Sequence, residues 1–145
     1  MHAVFLDYKT VDANDLDLGS IEALLPEIVV YAFSNEEEVL ARIEDAEVAI
    51  ANKVVFDANV FARATKLKLI CVTATGTNNI DLEAAKQSGV VVCNIRDYCT
   101  DSVVQHVLLS MLTLKHSSRD YSASMDNGDW QDGKSFSLLQ HPITE

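Results

Sequence analysis

Residues able to do chemistry gather in one stretch, Ala74-Thr75-Gly76-Thr77-Asn78-Asn79-Ile80-Asp81. Their types suit the capture of a small anion. Gly76 lets bare backbone approach a ligand, or take a backbone angle that other residues avoid. Thr75, Thr77, Asn78 and Asn79 surround it with neutral donors and acceptors. An apolar run, Leu67 to Thr73, leads in, and a helical pattern, Leu82 to Ser88, leads out. The start of that helix would aim unpaired N–H groups back at the turn. A strand, a polar glycine turn and a helix start are together a common way to hold a small anion. The same residues also fit a plain strand-to-helix turn with polar filler, because one glycine is a weak signal.

The elements that must position this turn alternate in type. Apolar runs at Ala3–Tyr8, Ile28–Phe33, Val48–Ala51, Leu67–Thr73 and Val90–Ile95 read as buried strands. Between them lie helical patterns. Leu18 to Leu25 is a weak one stopped by Pro26, and Ser34 with Glu37 makes a capping box that opens a helix through Ile43. Asp57 caps Ala58–Ala64, and Asp81 caps a helix that Gly89 ends in the left-handed conformation. The alternation predicts an α/β fold, a five-stranded parallel sheet with helices on both faces. Ligands in such sheets bind beyond the carboxyl ends of the strands. Asp7, Asn52-Lys53, Thr75-Gly76 and Arg96 to Tyr98 all fall there.

After Tyr98 the pattern changes. Thr100 or Ser102 caps a long helix with apolar rows Val103, Val107, Met111 and Val104, Leu108, Leu112, predicted to be buried on more than one side. It is expected to run on to Ser124, before the turn signal Asn127-Gly128. His106 lies on its polar stripe and reads as a structural or surface histidine, with a catalytic base as the alternative. In the extended tail, Trp130, Phe136, Leu138, Leu139 and Ile143 are too apolar for a free segment and should dock, for instance on a second copy of the chain.

Composition narrows the function classes. A chain of 145 residues bounds one domain, or one domain with an appendage. A formal net charge of −11 argues against nucleic acid or an anionic membrane surface as partner. It also means that a small anion would be held by local backbone or a single cation. Met1-His2-Ala3-Val4 opens directly into a strand-like run, and no apolar run approaches membrane-spanning length. Cys71, Cys93 and Cys99 form no Cys-x-x-Cys pair, so a reduced, cytoplasmic protein is expected. No metal-binding cluster, Gly-x-Gly-x-x-Gly, phosphate loop or Gly-x-Ser-x-Gly elbow is present. A phosphoacceptor receiver domain would need Asp after the third strand and Lys after the fifth. Here Asn52-Lys53 and Asn94-Ile95-Arg96 stand at those places.

Several motifs in order resemble one family: Thr73 to Asp81, then Gly89 to Asn94, then Ser102-Val103-Val104-Gln105-His106 with its Leu-rich helix. Together they resemble the amino-terminal part of the D-isomer-specific 2-hydroxyacid dehydrogenases, in particular the glycerate dehydrogenase (hydroxypyruvate reductase) branch. Asn52-Lys53-Val54 and Gly128-Asp129-Trp130-Gln131 fit the same branch. The resemblance implies a flavodoxin-like substrate domain over residues 1–98. Residues 99–145 would then be a crossing helix and dimerisation tail that begin an NAD(P)-binding Rossmann domain. It implies that backbone N–H groups of Thr75 and Gly76 hold the substrate carboxylate, that Asn52 and Lys53 line the same cleft, and that Val103 touches the nicotinamide end of the cofactor. The family's glycine fingerprint and its catalytic Arg, Glu and His would lie beyond residue 145, and neither His106 nor His116 matches that histidine. Gln105 stands where many members have Glu, and Cys99 where a small residue is common.

Two readings follow. In the first, the chain is the substrate-binding part of an NAD(P)-dependent oxidoreductase interconverting D-2-hydroxy and 2-oxo acids. It would be homodimeric through the long helix and tail, and inactive and free of cofactor when alone. In the second, it is a non-catalytic module that binds a small carboxylate or dimerises.

Overall fold

The computed structural model describes residues 1–129 and 131. Its elements are β1 (His2–Phe5), α1 (Gly19–Leu24), β2 (Glu27–Val30), α2 (Glu36–Ile43), β3 (Val48–Ala51), α3 (Ala58–Arg63), β4 (Leu69–Val72), α4 (Leu82–Gln87), β5 (Val91–Asn94), α5 (Thr100–Lys115) and α6 (Ser118–Asp126). The chain divides into two compact units, Met1–Asp97 and Tyr98–Glu145. Asp97 closes the first unit with a left-handed φ of 58°, a conformation that Asp tolerates better than most residues.

In the first unit all five strands are parallel, in the order β2-β1-β3-β4-β5. This is the flavodoxin-like order, whose direction reverses between β1 and β3. With right-handed crossovers, the step from β1 to β2 runs opposite to the steps from β3 to β4 and β4 to β5. Helix α1 therefore lies on one face and α3 and α4 on the other.

The main core lies between the sheet and α2, α3 and α4. Val4, Ala49, Ala51, Ile70 and Val72 meet Val39 and Ile43 of α2, Val60 and Phe61 of α3, and Ala85 of α4. The alternation of strand side chains puts Ala3, Phe5, Val48 and Ile50 on the other face, also buried. Cover on that face thins toward β5, where Val91 is 58% exposed. The edge strands β2 and β5 are therefore half-wet, whereas every residue of β3 is buried. Phe56 is fully buried just after the β3 loop, and its backbone pairs with Asn79 and Asp81 (2.8 Å each).

Three local expectations need correction. Ser34 does not cap α2. Its hydroxyl donates to the Leu6 carbonyl and accepts from Arg42 (2.6 Å), so Asn35 caps the helix instead, in a reciprocal box with Glu38. The long helix does not reach Ser124. It ends at Lys115, and Ser117 takes a left-handed φ of 49° before α6 restarts. No residue of α5 is buried, against the expectation of burial on more than one side. The expected docking of Trp130, Phe136, Leu138, Leu139 and Ile143 lies outside the described residues. Among the described residues no helix is long and apolar enough to cross a membrane.

The loop after β1 ties itself down. The Asp12 carboxylate accepts N–H groups from Asn14, Asp15 and Leu16 and the Lys9 ammonium (2.8 Å). The Lys9 bond is the chief reason the Asp12 carboxyl is held down from 3.8 to about 2. A depressed carboxyl favours the folded chain above its ordinary pKa, and that contribution is lost as pH falls from about 4 to about 2. Asp12→Asn should flatten the acid limb of a stability-versus-pH profile in that window and leave its neutral limb parallel to wild type. Phe56→Ala should cost about 3–5 kcal/mol in urea denaturation, the range for emptying a buried aromatic site.

Candidate functional site

The carboxyl edge of the sheet brings three loops together. The first leaves β1 at Leu6 and Asp7, the second leaves β3 at Asn52 to Val54, and the third leaves β4 at Thr73 to Asn79. Asp7 is only 3% exposed. Its carboxylate accepts the backbone N–H of Asn52 (2.9 and 3.1 Å), of Lys53 (2.6 Å) and of Val54 (3.2 Å). Three consecutive amides therefore converge on one carboxylate at the point where strand order reverses.

The Asn52 side chain turns toward the first loop, with Nδ2 donating to Thr10 Oγ1 (3.0 Å). Lys53 is exposed, and its ammonium forms no ion pair among the described residues. The cations nearer the amino edge behave differently: Lys66 pairs with Asp45 and Lys68 with Glu47.

Thr75 and Gly76 are exposed. Among the described residues neither donates its backbone N–H to any group. The turn is nevertheless held from three sides. Thr73 donates its N–H to the Ala51 carbonyl (2.9 Å), Ile95 donates to Ala74 (3.1 Å), and Asn94 Nδ2 donates to the Thr75 carbonyl (2.7 Å). Asn79 Nδ2 donates to the Val54 carbonyl (2.7 Å) and more weakly to that of Asn52 (3.4 Å), so it braces the β3 and β4 loops together. Fixed carbonyls with free neighbouring amides make a short, preorganised donor surface.

Gly76 does not have a positive φ, so the glycine is not needed for a left-handed turn. A Cβ there would meet the Asn78 Oδ1 at 3.0 Å, the movable end of a side chain. The fold can accommodate a small side chain at this position if the Asn78 side chain shifts.

Ile80 and Asp81 separate the turn from the start of α4. Between them the chain detours to pair Ile80 with Phe56, and the Asp81 carboxylate takes the Ala84 N–H (2.9 Å). The unpartnered donors of the turn are loop amides.

A cavity of about 660 Å³ lies beside the β3 loop, lined in part by Asn35, Leu40 and Val55. Its lining holds Glu36, Glu37 and Asp57 against one cation, Lys53, and does not include Thr75 or Gly76. That charge balance opposes a carboxylate ligand in the cavity.

Val103 belongs to the second unit, on α5, and is 55% exposed. His106 lies on the same helix and is exposed. Among the described residues no group of three or more His, Cys, Asp or Glu could hold a metal.

Asp7 and Asn94 are the residues whose roles spacing did not reveal. The local hint for Asp7 is its place at the carboxyl end of a buried strand; it precedes the 3-10 turn Tyr8–Thr10, but its side chain does not cap that turn. Asn79→Ala should cost about 1–2 kcal/mol, the range for losing a part-buried hydrogen bond. Amide hydrogen exchange should rise together at residues 52–54 and at Phe56 and Ile80, whose N–H groups bond to Asp7, Asn79 and Thr77, which checks the brace.

Comparison with known proteins bears on this site. The model of the D-isomer specific 2-hydroxyacid dehydrogenase family, catalytic domain, matches residues 5–134. A glycerate dehydrogenase of Methylorubrum extorquens is 40% identical over 141 residues, covering 97% of this chain and 44% of the relative. A hydroxypyruvate reductase of Blautia hydrogenotrophica is 32% identical over 148 residues, covering 100% of this chain and 46% of the relative. The chain thus spans under half the length of these curated relatives. The NAD+-bound crystal structure of 3-phosphoglycerate dehydrogenase from Entamoeba histolytica superposes with a TM-score of 0.65 at 26% identity, over 78% of this chain and 38% of that one.

Proposed function

The chain belongs to the D-isomer specific 2-hydroxyacid dehydrogenase family, and we propose that it supplies the substrate-binding part of an enzyme interconverting D-2-hydroxy acids and 2-oxo acids. The observation that carries this reading is the pair of exposed, unpartnered amides at Thr75 and Gly76, fixed by Asn94 and by the Thr73 and Ile95 bonds. Two adjacent free N–H donors suit a carboxylate, and charge-assisted bonds of this type are stronger than neutral ones.

Lys53 supplies a cation at the rim of the same edge. Its backbone N–H and that of Asn52 are taken by Asp7. Contact with substrate at this loop therefore falls to the Lys53 ammonium, with Asn52 holding the loop shape through Thr10. The 40% identity to a glycerate dehydrogenase favours a small hydroxylated acid of the glycerate and hydroxypyruvate type.

The redox partner in the complete protein is NAD or NADP, which exchanges a hydride with the 2-carbon of the acid. This chain is expected to bind no dinucleotide when alone. The sequence has no Gly-x-Gly-x-x-Gly turn, and Val103 offers one small apolar contact. The part of this chain is to bind and orient the acid.

A homodimer is the proposed assembly. Helix α5 carries Val103, Val107, Leu108, Met111 and Leu112 at 50–62% exposed and Leu114 at 82%. Apolar surface of this extent on one helix is characteristic of an interface.

Two outcomes test the reading. The 145-residue chain should show no hydroxypyruvate-dependent oxidation of NADH, and turnover by it would contradict the assignment as a binding part only. In isothermal titration with hydroxypyruvate, Gly76→Val should weaken binding at least about tenfold, the worth of one charge-assisted bond. Its melting temperature should stay close to wild type. Unchanged affinity in that variant would remove Thr75-Gly76 as the carboxylate site.

A further inference from the structure

The crevice at a reversal of strand order is where open parallel sheets receive their ligands. In this chain that crevice lies between β1 and β3, and it already holds a carboxylate. Asp7 brings it from the end of β1, and the amides of Asn52, Lys53 and Val54 converge on it from the end of β3. Three successive amides aimed at one point form an anion cradle.

We infer that Asp7 is a positioning residue: its side chain occupies the anion cradle of the β3 loop, fixing Asn52 and Lys53 and leaving Thr75-Gly76 as the open carboxylate position. This rests on the proposed substrate site only for its consequence. The occupation of the cradle stands on the hydrogen bonds alone.

The geometry leaves Asp7 few substitutes. Both carboxylate oxygens are used. Oδ1 accepts from Asn52, and Oδ2 accepts from Asn52, Lys53 and Val54. An amide side chain would present either one acceptor oxygen or an NH2 group facing N–H donors. A longer acid would drive its carboxylate into the loop, because Asp7 is already buried to 3%. Without the carboxylate, one buried and two part-buried donors lose their partner together, a larger penalty than one missing surface bond.

The loop then couples outward. The carbonyls of Asn52 and Val54 accept from Asn79, which belongs to the turn after β4. Asp7 therefore acts on the proposed substrate turn through two loops, without touching a ligand itself.

Chemical rescue tests the inference on the full chain. Asp7→Ala should lower the melting temperature by about 10 °C, the shift expected for a few kcal/mol in a domain of this size. Formate or acetate at high concentration should recover about half of that loss, while chloride at equal ionic strength should not. The amide resonances of Asn52, Lys53 and Val54 should move in the variant and return toward their wild-type positions with formate. Hydroxypyruvate affinity, measured without added carboxylate, should fall about tenfold in Asp7→Ala.

If Asp7→Ala does not fold, Asp7→Asn decides. Its three loop amides should shift, with Lys53, which makes the shortest bond, moving most. Unmoved amides in Asp7→Asn, or rescue by chloride as effective as by formate, would overturn the cradle. Formate rescue of stability in a chain whose wild type binds no oxo acid would keep the cradle and remove the substrate reading. Oxo-acid binding at Thr75-Gly76 that is indifferent to Asp7 would keep the substrate reading and remove the positioning role.

Discussion

The buried carboxylate of Asp7, receiving three backbone amides from the loop after β3, is the constraint on which the carboxyl edge depends. Burial of a charged group is costly unless every lone pair is met by a donor. Here the donors come from residues 45 to 47 positions away in sequence, so the bond network forms only once β1 and β3 are paired. The same network shapes the loop that presents Lys53 and accepts the Asn79 brace. Sheet order, loop shape and the donor surface at Thr75-Gly76 are thereby linked through one side chain.

That link also accounts for the position of the free amides. Parallel sheets with this strand order offer a ready anion position at the reversal point, and this chain fills it internally. The next loop along the sheet edge keeps its Thr75 and Gly76 N–H groups exposed, with their carbonyl neighbours tied back by Asn94 and Ile95. In a chain of net charge −11, the proposed anion would be attracted by such local dipoles and by the Lys53 cation, not by the overall field. Gly76 fits this role better than a conformational one, since its backbone angle is open to any residue.

Much of the fold was legible because it rests on short-range signals. Buried strands declared themselves as apolar runs. Asp57 and Asp81 cap α3 and α4 as their spacing suggests. Gly89 takes the left-handed angle, φ 71°, that ends α4. What was hidden depends on partners distant in sequence. Ser34 looks like a cap until Arg42 and the Leu6 carbonyl claim its hydroxyl. Asn79 looks like turn filler until it bonds across to Val54. Asp7 gives almost no local sign of the cradle it fills. The break at Ser117 was missed for a different reason. Serine is an unremarkable helix residue, and a left-handed φ of 49° there reflects a conformation that few side chains announce. Helix α5 was expected to be buried because its apolar rows are broad, yet none of its residues is buried within the single chain. Apolar periodicity records that a face is to be covered, without recording by what.

The most direct test of the account is a two-dimensional amide NMR titration of the chain with hydroxypyruvate. The account predicts saturable shifts at Thr75 and Gly76, while the amides of Asn52, Lys53 and Val54, already bonded to Asp7, stay nearly still. Large shifts at residues 52–54 with none at 75 and 76 would contradict it, because the acid would then be displacing the side chain held here to be the permanent occupant of that cradle.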